Sequence, residues 1–425
     1  MDPIKIIERI HSERYRWLDV QYTDFLGFFK HITIPASSLD VDSFKDGTIN
    51  ISYDTMFYDT GDYLSLIPDP NTFSVIPWEP STVRLIAHTN SPNDPRNILA
   101  AMSENSKKNK LAFELGSETD FYLMDSLVTD NSRFSYGAFF DSREISMSQY
   151  TGILEHGMRK NQTMNADLGK ALRLQVGDYA ELVDVRIGAM HHEKGRMQHE
   201  ISLLPSNPIK AADDFITLKY LTKNAAMLVG AIATFAPKVS NDEPMNEMHI
   251  SVSCWKGDEN IFLDMSGEPL TSTGYHFLAG IADHIPALSA FLLPSTLSYK
   301  DMLYTEQIGV LNNIVRIPPA IKGEVDKRVE YRFADPSLNP YLGYAVLLAA
   351  GMDGINKKTD FDDKRNITVP HSLTESLSSL LSDHDFLRGV LSDDVLNAYI
   401  DLKEKEVKEI SSKVSGYEIT RYQNI

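Results

Sequence analysis

The chain has 425 residues, 42% of them hydrophobic, and a formal net charge of −18. The length exceeds one ordinary domain, and the apolar content is that of a soluble globular protein. The acidic balance argues against a nucleic-acid or anionic-membrane partner, which would want a basic face, while leaving an anionic substrate open if bound metal ions reverse the local field. The one cysteine, Cys254, can form no intrachain disulfide.

From the N-terminus, Ile4, Ile6, Ile7 and Ile10 have the spacing of a short amphipathic helix. MDPIKIIERIHSERYRW has no continuous apolar core of the signal-peptide kind, and the apolar stretch 225–236 is too short for a membrane span. The expectation is a soluble cytoplasmic protein. RWLDVQYTDFLGFFKHITIP predicts two strands joined at 24–27. Prolines at 68, 70, 77 and 80 confine the next stretch to sheet edges and loops. SPNDPRNILA marks a boundary, with Asn93 or Asp94 as helix cap and Pro95 in the first turn. It divides the chain into a small domain, 1–92, and a larger one, 93–425. Within the larger domain, 211–234 carries Phe215, Leu218, Ala225, Leu228 and Val229 at a helical period and stops before Pro237. Residues 340–355 form a second buried helix whose end is marked by Gly351 and Gly354, and 393–414 an alternately charged surface helix.

Four segments carry side chains of the metal-binding type. In GSETDFYL, Glu118 and Asp120 are two apart on a strand and share a face, with Phe121 and Leu123 opposite. Two carboxylates on one sheet face repel unless a cation or proton lies between them. HHEKGRMQHEI predicts two strands around a turn at 194–195, which brings Glu193 and Glu200 towards each other beside His191, His192 and His199. MHISVS places His249, Ser251 and Ser253 on one face, and RVEYRF does the same for Arg328, Glu330 and Arg332. Taken singly, each has a plain structural explanation: a solvated face, a polar hairpin, a hydrogen-bonded core histidine, an Arg–Glu–Arg ion triad. Taken together, five carboxylates and an imidazole suffice for two or three hard divalent cations.

In order and context these segments resemble the glutamine synthetase family. The similarity extends over DVQYTDFLGFFKHITIP, LIPDPNTFSVIPW, NDPRNIL, ADDFITLKYLTKNAA, ATFAPK, FLAGIADHIPAL, RIP, DPSLNPYLGYAVLLAAGMDGI and SGYEITRY. It implies an α+β fold, with a small N-terminal β-grasp-like domain and a larger catalytic domain whose antiparallel sheet lines the active site. It also implies a homo-oligomeric ring with active sites between subunits, ATP as substrate, and two or three Mg²⁺ or Mn²⁺ ions per site. The family activity is phosphorylation of the glutamate γ-carboxylate followed by displacement with ammonia.

The resemblance assigns Glu118, His249 and Glu330 to the ion nearer the transferred phosphate, and Asp120, Glu193 and Glu200 to the other. Asp120 stands where a glutamate is usual. Ser253, Arg316 and Arg328 match nucleotide and phosphate contacts, and Arg332 an arginine at the substrate and phosphate end. Glu306 stands in for a catalytic loop glutamate and Asp54 for the ammonia-side aspartate. The absence of a G-x-x-x-x-G-K-[ST] run agrees with a family that uses no P-loop.

Departures cluster in the amino-acid half. LSYKD puts Asp301 where the family has a carboxylate-gripping arginine, and PMNEMH puts Pro244 and Glu247 where it has small residues. A further catalytic arginine has only Leu311 or Asn312 opposite it, and NISYDT replaces a family loop near the N-terminus. The expected function is an ATP-dependent carboxylate–amine ligase, making glutamine or joining a related acid and amine. Asp301 or Glu247 would then attract a cationic amine. The alternative is a non-catalytic ring-forming relative with a regulatory or structural role. A metal hydrolase is disfavoured, since HEKGRMQH lacks the H-E-x-x-H spacing.

Overall fold

The computed structural model describes residues 1–132, 135–141, 159–161, 167–300, 308–319 and 327–414, with 418 and 421, and for 126–132 and 135–141 the backbone alone. Asp301 and Glu306 lie outside the described residues, as does most of the SGYEITRY segment.

The helix Pro3–Ser12 starts where the Asp2 side chain accepts from the Ile4 N–H, and it buries Ile6 and Ile10. It covers a six-stranded sheet formed by β1 (Trp17–Thr23), β2 (Phe29–Pro35), β3 (Ile49–Ile51), β4 (Leu64–Pro68), β5 (Ser74–Val75) and β6 (Thr82–Thr89). The order is β2-β1-β6-β4-β3, with β5 on β6; β1 and β6 run parallel and the other pairs antiparallel. The β1–β2 turn closes at Gly27 (φ +95°), where a Cβ would lie 3.0 Å from the Asn339 Cα. The expectation of edges and loops holds for Pro70, Pro77 and Pro80, which lie in turns between strands, but not for Pro68, the last residue of β4, a strand inside the sheet.

The larger sheet begins with β7 (Ala112–Met124). The hairpin β8 (Ser126–Ser132) and β9 (Ser135–Asp141) stands apart from it. Then follow β10 (Ile187–His192), β11 (Gln198–Ser206), β12 (Ile232–Thr234), β13 (Met248–Lys256), β14 (Glu259–Asn260), β16 (Val315–Arg316) and β17 (Val329–Ala334), while a short β15 (Ile308–Gly309) lies outside this sheet and pairs with Asn366–Ile367. The path is β10-β11-β7-β13-β17-β16, antiparallel throughout, with β12 on β7 and β14 on β13. Alternation sets its two faces. Phe121, Ile201, Ile250, Val252, Val329 and Tyr331 are buried on one of them, the face that packs on the helices Pro95–Lys108, Pro208–Leu228 and Ser272–Leu292. The opposite face is polar. The architecture is α+β.

Two predicted helices end differently from the sequence reading. The first stops at Leu228, Gly230 turns the chain at φ +73°, and Ile232–Thr234 is a strand. Met227, Leu228 and Val229 are exposed, so the apolar run there is not a buried helix. The second continues as Pro340–Lys357 through both of its supposed end-marking glycines. Gly351 and Gly354 instead permit contact with the helix Ser272–Leu292: a Cβ on Gly354 would meet the His276 carbonyl at 2.1 Å. The helix Asp393–Ser411 is only partly a surface element, burying Val395, Leu396, Tyr399 and Ile400. None of the described helices is long and apolar enough to cross a membrane.

Candidate active site

Strand register assembles the polar face. Residues directly opposite in neighbouring strands share a face. His249 on β13 pairs with Glu118 on β7, and Ser251 pairs with Glu330 on β17, which pairs in turn with Arg316 on β16. One pleat repeat along β7, about 7 Å away, Asp120 pairs with Glu200 on β11, and Glu200 with His191 on β10. The face therefore carries two acidic groups side by side, one around Glu118, His249 and Glu330 and one around Asp120, Glu193 and Glu200.

In the first group, His249 Nδ1 lies 3.4 Å from Glu118 Oε2 and 3.8 Å from Glu330 Oε1. Its Nε2 lies 3.5 Å from Glu247 Oε2. Burial works against an imidazolium here, but the hydrogen bond to Glu118 and the nearby carboxylates of Glu247 and Glu330 carry His249 up to about 9. The bond from His249 in turn holds Glu118 below the usual carboxylate range. Glu330 is buried between two guanidinium groups, with Arg332 Nε at 3.3 Å and Arg316 Nε at 3.8 Å. This is the predicted ion triad in altered form, since Arg316 takes the place of Arg328. Arg328 lines a cavity of about 200 Å³ with Glu118, Ser251 and Ser253. The Ser253 hydroxyl accepts from Trp255 Nε1 at 2.9 Å.

In the second group, His191, Glu193 and Glu200 bring one ligand atom each within 4.8 Å of one another. His191 Nε2 lies 3.0 Å from Glu200 Oε1, and its Nδ1 lies 3.6 Å from Glu193 Oε1. The Lys160 ammonium is ion-paired with Glu193. Asp120 is buried beside them. Its Oδ2 accepts from the Glu247 N–H at 3.2 Å and from Gln198 Nε2 at 3.4 Å, whereas Oδ1 has no hydrogen-bond partner. Burial first, then Glu200 and Glu193, push its pKa well above the carboxylate range.

A buried carboxylate oxygen left without a donor, facing two further carboxylates, fits a hard cation. The residues present suit the divalent ions that the resemblance implies. Glu118, His249 and Glu330 would hold one, and Asp120, Glu193 and Glu200 another. Bound there, such ions would offset negative charge on a phosphate.

Three participants escaped the sequence reading in whole or in part. His191 stood there only as one of three spare imidazoles, yet it bridges two carboxylates. Lys160 had no local signal at all. Glu247, read as a departure that could attract an amine but not as a neighbour of the acidic groups, sits on the site itself through its contact with His249. His192 and His199, read as exterior groups of a polar hairpin, are buried. Asp54 is exposed on the short helix Tyr53–Phe57 of the N-terminal sheet, with no hydrogen bond or ion pair to either acidic group. Asn312 reaches Arg332 through its backbone carbonyl, at 3.4 Å from a guanidinium nitrogen.

Comparisons with known proteins agree with this geometry. The profile of the family described as "Glutamine synthetase, catalytic domain" matches residues 92–422. The chain is 32% identical to a glutamine synthetase of Sulfolobus acidocaldarius over 98% of its own length and 97% of the relative's. It is 31% identical to one from Thermococcus kodakarensis, over 99% of each. Among solved structures, a Plasmodium falciparum glutamine synthetase superposes with a TM-score of 0.91 at 19% identity, over 99% of both chains. A structure described as "Apo GmaS without ligand" superposes with a TM-score of 0.86 at 22% identity, over 99% of both chains. A profile match over most of the chain and full-length similarity above 30% place it: the protein belongs to the glutamine synthetase family of ATP-dependent ligases that form carbon–nitrogen bonds.

Proposed function

We propose that the protein joins a carboxylic acid to an amine at the expense of ATP, through an acyl phosphate, and that the amine is held as a cation before it reacts. In the first step a carboxylate oxygen bonds to the γ-phosphorus of ATP and ADP leaves. In the second the ammonium gives a proton to a site carboxylate, the freed nitrogen lone pair bonds to the acyl carbon, phosphate leaves with its electron pair, and the remaining surplus proton passes to solvent. Glu118, Asp120, Glu193, Glu200, His249 and Glu330 serve as ligands for Mg²⁺ or Mn²⁺. Ser253, Arg316 and Arg328 serve the nucleotide, and Arg332 the transferred phosphate. Positive groups around a moving phosphoryl group are the main source of rate in such chemistry.

The observation that carries this reading is the pair of acidic groups on one sheet face, one of them gripped by two arginines. Glu247 supports the cationic amine. It adds a carboxylate to the face, and its side chain remains 57% exposed to whatever enters. Glutamate and ammonia are the reference pair, with a larger amine as the close rival. The reading includes assembly into a ring with sites between subunits, so that the exposed Asp54 of one subunit serves its neighbour, with Glu306 closing the site.

The test is ADP release from Mg²⁺–ATP with glutamate and ammonia, glutamine being assayed alongside, followed by a panel of primary amines and diamines. ADP and amide product in equal amounts support the ligase, and the best amine defines the pair. ATP binding with no amide product from any acid and amine would sink it in favour of a non-catalytic relative.

A further inference from the structure

Away from the acidic face, a cavity of about 500 Å³ opens where the β1–β2 turn meets the helix Pro208–Leu228 and the chain around Pro294 and Ser337. That volume is typical of small-molecule sites. Lys219 and Lys223 project into it from adjacent turns of the helix. Lys219 donates to the Pro336 carbonyl at 2.8 Å and lies over the rings of Phe215 and Phe235. Lys223 makes no hydrogen bond or ion pair with any described residue. The carboxylate in the lining, Glu406, holds Lys403 at 2.9 Å, and Asp335, whose Oδ1 accepts from Ser337, is buried behind Lys219 and does not line the cavity. Phe28, Phe29 and Phe235 add aromatic surface to the lining, and Phe28 at the tip of the turn is 62% exposed.

Of the ammonium groups that line the cavity, Lys403 is matched by Glu406, whereas Lys223 has no counter-ion and Lys219 feels only the buried Asp335 from behind, so the cavity keeps an excess of positive charge. Burial, and then Lys223, lower the Lys219 ammonium to about 7, a cost that a bound anion would relieve. The aromatic surface adds a place for a ring. We propose that this cavity is a second ligand site, distinct from the acidic face, which binds a small organic anion bearing an aromatic group. The anion bridges Lys219 and Lys223 and the ring packs on Phe28. Two lining segments continue towards the acidic face. Thr234 and Phe235 lead into the loop that ends at Glu247, and Ser337 follows β17. Occupancy would brace both from behind.

Calorimetric titration of the full chain with phenyl phosphate tests the site, with benzoate and inorganic phosphate as comparison arms. Phenyl phosphate or benzoate should bind more tightly than inorganic phosphate, and the tighter of the two identifies the head group. Lys223→Met should weaken binding roughly tenfold or more, the worth of a charge-assisted contact, and Lys223→Arg should restore it. Lys223 is exposed, so neither change should alter the melting temperature of the unliganded protein. Phe28→Ala should erase the preference for the aromatic anion, whereas Glu330→Gln on the acidic face should leave binding intact. Absence of binding by all three anions at millimolar concentration would overturn the proposal. So would wild-type affinity in Lys223→Met, or loss of affinity in Glu330→Gln.

Discussion

Asp120 has one oxygen held by the Glu247 N–H and Gln198, and the other without a donor, in the field of Glu193 and Glu200. Without a cation this arrangement costs stability, because a buried polar group left unsatisfied carries a penalty of about 1–3 kcal/mol. Asp120→Asn should therefore raise the melting temperature in chelator while removing most of the stabilisation by Mn²⁺. A lower melting temperature in chelator would show that the carboxylate is not strained. Glu330→Ala should abolish Mn²⁺-dependent thermal stabilisation by ATP, and an unchanged shift would remove Glu330 from the site. At this scale the sequence was informative wherever chemistry followed from spacing along one strand, as for Glu118 with Asp120 or Glu330 with Arg332. It was silent where the partner comes from another strand or loop. Nothing in the run MRKNQ marks Lys160 as a partner of Glu193, and the replacement of Arg328 by Arg316 beside Glu330 depends on the β16–β17 register.

The helices Ser272–Leu292 and Pro340–Lys357 approach until backbone touches backbone at Gly280 and Gly354. Gly354→Ala should cost about 1–3 kcal/mol, as overpacking does, seen as a lower urea midpoint with unchanged slope; an unaltered midpoint would mean that the pair separates freely. Composition revealed these glycines but not their purpose, since a glycine inside a helix and one ending it look alike until the neighbouring helix is present. The same packing places His284 between Asp383 at 2.8 Å and Asp353 at 3.1 Å, against the ring of Phe386. Lys357 also pairs with Asp353, at 2.8 Å. Burial opposes the His284 imidazolium, but bonds to the two aspartates outweigh it and raise its pKa. A raised value in the folded state means a stabilising contribution that is complete below the ordinary imidazole pKa of about 6.5 and lost as pH climbs through the folded value. The stability difference between wild type and His284→Asn should therefore shrink from pH 6 upward. A difference constant with pH would show that the contacts do not depend on charge.

Across the whole molecule, the two sheets are joined by buried polar contacts rather than by apolar packing alone. Arg96 binds Asp69 of the N-terminal part at 2.6 Å and Asp213 of the central helix at 2.8 Å, and Asp213 also accepts from the Tyr341 hydroxyl. Arg96→Met should be strongly destabilising, by about 3–5 kcal/mol, because it leaves carboxylates buried without a cation; a mild loss would mean that water reaches them. Asn339 is a second link. Its side-chain oxygen accepts from the Tyr341 and Leu342 N–H groups, capping the helix Pro340–Lys357, while its nitrogen donates to the carbonyls of Asp24 and Phe25 in the β1–β2 turn. One amide thus serves a helix end and a turn more than 300 positions away in the chain. Separating the N-terminal sheet would disturb the start of a central helix at the same moment, so heat should dismantle the subunit in a single cooperative step instead of releasing its small part first.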